Sequence, residues 1–176
     1  TRKFLLHYLV RIHNEHDSKK RIETHSMTIS YNKVLVVDDE RIALRNLTHV
    51  LQKEGYEVLA TQSGVNALKL LEEHEVEVVL TDLRMEKVDG MQILARCRAL
   101  YPDTEVIFIT GYATLESAVT AMRQGAFYYL AKPFRLEEVR QVVKEAMAKV
   151  HLKRENRTLK TQVENYLDQT RFITQD

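Results

Sequence analysis

The chain has 176 residues, 26 Lys and Arg against 25 Asp and Glu, and 44% apolar residues, the proportions of an ordinary globular protein rather than a disordered or fibrous one. A formal charge of +1 speaks against a chain whose main business is coating nucleic acid. The single cysteine, Cys97, excludes a disulfide framework and any CxxC metal or redox motif, and no apolar run reaches the ~20 residues of a membrane-spanning helix. A reducing cytoplasm is the expected location, with no membrane partner.

The charge divides the chain into unlike parts. Residues 1–30 hold six basic and three acidic residues and four of the seven histidines, His7, His13, His16 and His25. This stretch has no sustained period and no cleavage site behind its short apolar run, so it reads as an appended or upstream leader, largely flexible, rather than a signal peptide. The histidine spacings do not make a helical i, i+4 pair, which speaks against a metal site there. Residues 31–150 carry fifteen basic and eighteen acidic residues. Residues 151–176 carry five and four.

Strands and helices alternate through the middle part. Val34 to Val37 is a continuous β-branched apolar run, the pattern of a strand buried on both faces. Residues 41–54 then place Ile42, Leu44, Leu47, Val50 and Leu51 at helical spacing and stop at Gly55. Tyr56–Ala60 is a second strand. Ser63 is a cap for a helix over 64–73 with Val65, Leu68 and Leu71 on one stripe. Val76–Leu80 is a third strand, followed by a helix over 90–100 that ends before Pro102. Val106–Ile109 is the fourth strand, and Thr114 to Gln124 a helix ending at Gly125. Phe127–Leu130 is the fifth strand, and a last helix starts after Pro133. This predicts an α/β protein with a flavodoxin-like (βα)5 doubly wound parallel sheet of five strands, helices on both faces, and an extended C-terminal linker helix.

Ligands of such sheets bind at the carboxyl ends of the strands. After the first strand come Asp38 and Asp39, after the third Asp82, after the fourth Thr110 and Gly111, and after the fifth Lys132 and Pro133. The fold would gather three carboxylates, a hydroxyl and an ammonium on one edge. Clustered carboxylates repel, and a divalent cation relieves them. Oxygen donors with few fixed protein ligands suit Mg²⁺. One carboxylate is then placed to attack phosphorus, with Lys132 and Thr110 receiving the phosphoryl oxygens.

These segments, Val-Leu-Val-Val-Asp38-Asp39-Glu40, Thr-Asp82-Leu-Arg-Met with Asp89-Gly90, Thr110-Gly-Tyr-Ala and Tyr129-Leu-Ala-Lys132-Pro133-Phe, resemble the receiver domain of bacterial two-component response regulators over about residues 32–150. The resemblance implies that Asp82 is the phosphoacceptor, taking phosphate from a sensor histidine kinase. It implies a Mg²⁺ site from Asp39, Asp38, Asp82 and the main-chain carbonyl of Arg84. Lys132, Thr110 and Gly111 would bind the phosphoryl group, the Lys132–Pro133 bond would be cis, and Thr110 and Tyr129 would move together on activation. It further implies a signalling domain that catalyses its own phosphorylation and dephosphorylation, rather than an enzyme acting on other substrates. The wording of the segments is similar to receivers of the nitrogen-regulation type, which precede AAA+ ATPase domains in sigma-54-dependent transcription activators. Two residues depart from that pattern: Glu86 stands where proline is frequent, and Tyr128 where aspartate is usual before Tyr129. Tyr128 is expected on the exposed side of the last strand.

Residues 135–169 contain no Gly or Pro. Leu136, Val139, Val143, Ala146 and Val150 follow one 3,4 spacing, for packing on the sheet. Leu152, Asn156, Leu159, Val163 and Tyr166 follow a second in shifted phase, for a coiled-coil dimer seam with Asn156 setting register. Lys153, Arg154 and Arg157, with Glu155 between them, read as a solvated face. The expected domains are therefore a leader over 1–30, a receiver over 31–150 and a dimerising linker over 151–176. The linker would lead to an absent AAA+ domain, and sigma-54 RNA polymerase and DNA would be met only through absent domains. A stand-alone phosphorelay carrier is the alternative. A haloacid-dehalogenase-type phosphatase is disfavoured by the adjacency of Asp38 and Asp39, and a flavin carrier by the acid after the first strand.

Overall fold

The structure is a computed structural model that describes residues 32–173, with side chains to residue 167. The expected leader over 1–30 lies outside the described residues. The strands are β1 (Lys33–Val37), β2 (Glu57–Thr61), β3 (Val78–Thr81), β4 (Glu105–Thr110) and β5 (Tyr128–Ala131). The helices are α1 (Arg41–Lys53), α2 (Gly64–Glu73), α3 (Gly90–Leu100), α4 (Leu115–Arg123) and α5 (Leu136–Ile173).

All strand pairs are parallel, in the order β2-β1-β3-β4-β5. β1, β3 and β4 are flanked on both sides, which explains their unbroken apolar runs: every inward and outward side chain meets a helix. On one face Val34, Val36, Leu80, Ile107 and Ile109 pack with Leu47 and Leu51 of α1 and with Val139, Val143, Ala146 and Met147 of α5. On the other, Leu35, Val37, Val79, Val106 and Phe108 pack with Leu71 of α2, Ile93, Leu94 and Cys97 of α3 and Ala121 of α4. Burying each of these larger side chains contributes about 1.5–3 kcal/mol.

Local signals set the helix limits. Ser63 Oγ accepts from Asn66 N at the start of α2, and Asp89 and Thr114 form capping boxes with Gln92 and Ser117 at the starts of α3 and α4. After α1 the chain turns through Gly55 at φ +88°, a left-handed conformation that favours glycine.

Most strand and helix limits fall within one residue of the sequence reading. β3 begins at Val78, not Val76, because Val76 O accepts the Thr104 hydroxyl at 2.6 Å and lies before the ladder. The last helix runs without a break from Leu136 to Ile173. Its core face ends at Val150, which is fully buried, while Leu152, Leu159, Val163 and Tyr166 are exposed.

Candidate functional site

The order β2-β1-β3 places the ends of β1 and β3 side by side where the winding of the sheet reverses, the position at which such sheets bind ligands. Asp38 and Asp39 follow β1 and Asp82 follows β3. Asp82 N donates to Val37 O at 2.9 Å, so the backbone stitches the two acidic corners together. Asp38, Asp39 and Asp82 each offer a carboxylate oxygen, and these lie within 4.8 Å of one another. Asp38 and Asp82 are buried and Asp39 is exposed.

Lys132 comes to the same point from the end of β5. Its Nζ stands 2.9 Å from Asp38 Oδ2, 3.0 Å from Asp82 Oδ2 and 3.7 Å from Glu40 Oε2. The peptide between Lys132 and Pro133 is cis. Lys132 N donates to Thr110 O at 2.8 Å, fixing the lysine's backbone to the end of β4. Burial disfavours the charged ammonium, but the hydrogen bonds and charges of Asp38 and Asp82 outweigh it and hold Lys132 above its ordinary value. Asp38 is pushed above the usual carboxylate value by burial. The Lys132 contact and the Glu40 amide at 2.9 Å oppose that rise without cancelling it, and the neighbouring charge of Asp82 adds to it.

The donor set fits a small hard cation. Asp38 Oδ2 is buried, and among the described residues the Lys132 ammonium at 2.9 Å is its one close partner, a place that a second cation could share. An exposed carboxylate, Asp39, opens the cluster to water on one side. Oxygen ligands that leave several positions to water are what Mg²⁺ accepts.

The loop after β3 shapes the acceptor corner. Arg84 N donates to Asp82 Oδ1 at 3.1 Å, which keeps Arg84 beside Asp82. Gly90 is required there by contact: a Cβ would lie 2.4 Å from Asp82 O and 2.7 Å from the Phe108 ring. Glu86, one of the two departures, accepts from Val88 N at 2.8 Å across Lys87, which has φ +67°.

The remaining predicted residues are placed less centrally. Thr110 is fully buried, and its hydroxyl accepts from Tyr112 N at 3.2 Å, so it is engaged by its own loop. Gly111 is exposed, with nothing within 4 Å of where a Cβ would stand. Tyr129 is half-buried; its hydroxyl and Ser117 Oγ are 2.8 Å apart and its ring lies 6.2 Å from that of Phe108. Tyr128, the second departure, is 39% exposed. Asn156, Leu159, Val163 and Tyr166 lie on the helix beyond Val150, far along the chain from the acidic corner and exposed. Ser117 and Glu40 were not singled out by the sequence. Ser117 carries no motif of its own, and Glu40 reads as one more acid at a helix start.

A doubly wound sheet with an acidic cluster and a lysine at its switch point defines a signalling domain of the receiver class. Residues 34–144 match the response regulator receiver domain, and the chain belongs to that family. It is 39% identical over 128 residues to the regulatory protein AtoC of Escherichia coli, covering 73% of this chain and 28% of AtoC. It is 37% identical over 143 residues to a putative NtrX-like response regulator of Rickettsia felis, covering 80% and 29%. The chain thus spans less than a third of the length of these relatives. Among solved structures, a receiver domain from Clostridium thermocellum superposes with TM-score 0.65 at 36% identity, covering 68% of this chain and 97% of that one. The beryllofluoride-activated NtrC4 receiver domain dimer gives TM-score 0.65 at 33% identity, covering 68% and 98%. The relationship to receivers of the nitrogen-regulation type, read from the segments around Asp82, Thr110 and Lys132, is borne out by these relatives.

Proposed function

We propose that this chain is the phosphorylation-controlled input module of a longer response regulator, with Asp82 as the phosphoacceptor. The observation that carries the reading is the convergence of Lys132 Nζ on Asp82 Oδ2 at 3.0 Å and Asp38 Oδ2 at 2.9 Å inside a three-carboxylate corner. In the transfer, an Asp82 oxygen forms a bond to phosphorus while the bond from phosphorus to the imidazole nitrogen of a kinase phosphohistidine breaks, and that nitrogen keeps the electron pair. Asp38, Asp39, Asp82 and the Arg84 carbonyl would hold Mg²⁺, which when bound would neutralise charge on the phosphoryl oxygens. Lys132 exchanges its carboxylate contacts for a phosphoryl oxygen, and Thr110 and Gly111 line the same corner. Phosphorylated Asp82 carries about −1.5 to −2 charges, as other phosphorylated side chains do, in place of the single charge of the free carboxylate. Thr110 and Tyr129 pass that change to the face formed by α4 and β5, where Tyr112, Leu115 and Tyr128 are exposed.

In this reading residues 31–150 are the receiver and 151–176 the linker. The linker dimerises through Leu159, Val163 and Tyr166 with Asn156 in the seam, and leads to an ATPase of a sigma-54-dependent activator. Sigma-54 RNA polymerase and DNA belong to that output part, and the setting is cytoplasmic. Among the described residues no helix is long and apolar enough to cross a membrane.

The test is intact mass after incubation with acetyl phosphate. One phosphoryl group is gained with Mg²⁺, none with EDTA, and none in Asp82→Asn. A gain that persists in Asp82→Asn contradicts the assignment.

A further inference from the structure

The end of the sheet opposite Asp82 carries a second charged assembly that the phosphoryl chemistry does not use. Glu77 immediately precedes β3, and Glu105 is the first residue of β4. Both are buried, Glu105 completely. A buried carboxylate is costly unless paired. Here most of the cationic partners come from α5, with Arg98 of α3 3.4 Å from Glu105 Oε2. Glu105 Oε1 is 3.0 Å from Lys149 Nζ and 2.6 Å from Lys153 Nζ. Glu77 Oε1 accepts from Arg154 Nη1 at 2.5 Å, while its Oε2 accepts from Lys33 N at 2.7 Å. Arg154 also reaches Glu75 at 2.6 Å, and Arg157 reaches Asp103 at 2.7 Å. The expectation of a solvated face over Lys153, Arg154 and Arg157 is corrected at Arg154, whose side chain is only 12% exposed, while Arg157 stays 63% exposed beside Asp103.

Charge thus holds the helix where the core stops. Val150 is the last buried apolar residue of α5, and Lys153, Arg154 and Arg157 continue the contact for another two turns. At ~100° per residue, Val150, Lys153, Arg154 and Arg157 share one side of the helix. Leu152, Leu159 and Val163 centre about 150° away from them. All three are more than half exposed.

We propose that Glu75, Glu77, Asp103 and Glu105 form an acidic clamp for Lys149, Lys153, Arg154 and Arg157, fixing the first turns of the linker to the receiver so that the Leu152, Leu159 and Val163 stripe faces outward. The clamp makes the receiver and the start of the linker one rigid body.

Amide hydrogen exchange on the full chain tests the clamp. It is measured in a Leu159→Glu, Val163→Glu background, where no seam can hold the helix. Residues 151–157 then exchange slowly, and Lys153→Gln with Arg157→Gln speeds them roughly tenfold while residues 139–147 keep their protection. The exchange Asp103→Arg with Arg157→Asp restores protection relative to Arg157→Asp alone. Unchanged exchange at 151–157 in the double Gln variant overturns the clamp, as does an equal loss over 139–147.

Discussion

Lys132 reaches Asp82 across the end of an intervening strand. The lysine follows β5 and the aspartate follows β3, with β4 between them, yet Nζ and Oδ2 are 3.0 Å apart. The same ammonium meets Asp38 from the end of β1. One side chain therefore compensates two buried carboxylates drawn from different strands, and its replacement leaves both uncompensated. Lys132→Ala is expected to lower stability by about 1–3 kcal/mol in denaturant titrations at neutral pH and to slow phosphorylation of Asp82.

Asp38 gives the opposite sign. Its carboxyl is raised by burial and by Asp82 despite the Lys132 and Glu40 contacts, so ionising it costs stability. That cost appears as pH rises through the raised folded value and remains at neutral pH. Asp38→Asn removes it. In EDTA the variant is expected to be more stable, and to lose most of the thermal stabilisation that Mg²⁺ gives the unmodified chain. Differential scanning calorimetry with and without Mg²⁺ reads both effects.

Glu105 behaves as an ordinary paired acid. Burial alone would raise it, but hydrogen bonds and charge from Lys153 and Lys149 outweigh burial and hold it below its ordinary 4.5. Arg98 stands 3.4 Å away as a third cation. A lowered carboxyl contributes stability that is present above about 4.5 and lost as pH falls through the folded value. Glu105→Gln is expected to be less stable at pH 7 and to show a shallower loss between pH 5 and pH 3, followed by urea midpoints across that range.

Gly90 sits where a Cβ would strike the Asp82 carbonyl and the Phe108 ring. Gly90→Ala is expected to cost about 1–3 kcal/mol through forced displacement of a packed loop, and to slow phosphorylation by moving the acceptor. Urea unfolding and acetyl phosphate labelling measure the two together.

Cys97 is fully buried on α3, and burial pushes its thiol up to about 12. The thiolate is the reactive form, so the native chain at pH 8 is expected to resist iodoacetamide for hours and to react within minutes in guanidinium. Mass spectrometry of the alkylated chain checks this.

The strands were legible because β1, β3 and β4 are covered on both faces and so read as unbroken apolar runs, Val34 to Val37 and Val106 to Ile109 above all. Residues directly after those runs, Asp38, Asp82 and Lys132, were legible for the same reason: strand ends in parallel sheets share one edge. Long-range polar pairing was not legible. Arg154 finds Glu77 77 residues away, and Tyr129 finds Ser117 on a different element. Apolar periodicity carries no trace of either contact, so the docked cations of α5 resembled a solvated face. Val76 resembles a β3 residue in sequence because it is apolar and fully buried, while its carbonyl serves Thr104 instead of the ladder.

The most direct test of the central claim is the position of the phosphoryl group. After acetyl phosphate and Mg²⁺, borohydride reduces an aspartyl phosphate to homoserine, which tandem mass spectrometry locates. The account predicts homoserine at residue 82 alone, dependent on Mg²⁺. Homoserine at residue 38 or 39, or at no residue while Mg²⁺ is present, would contradict it.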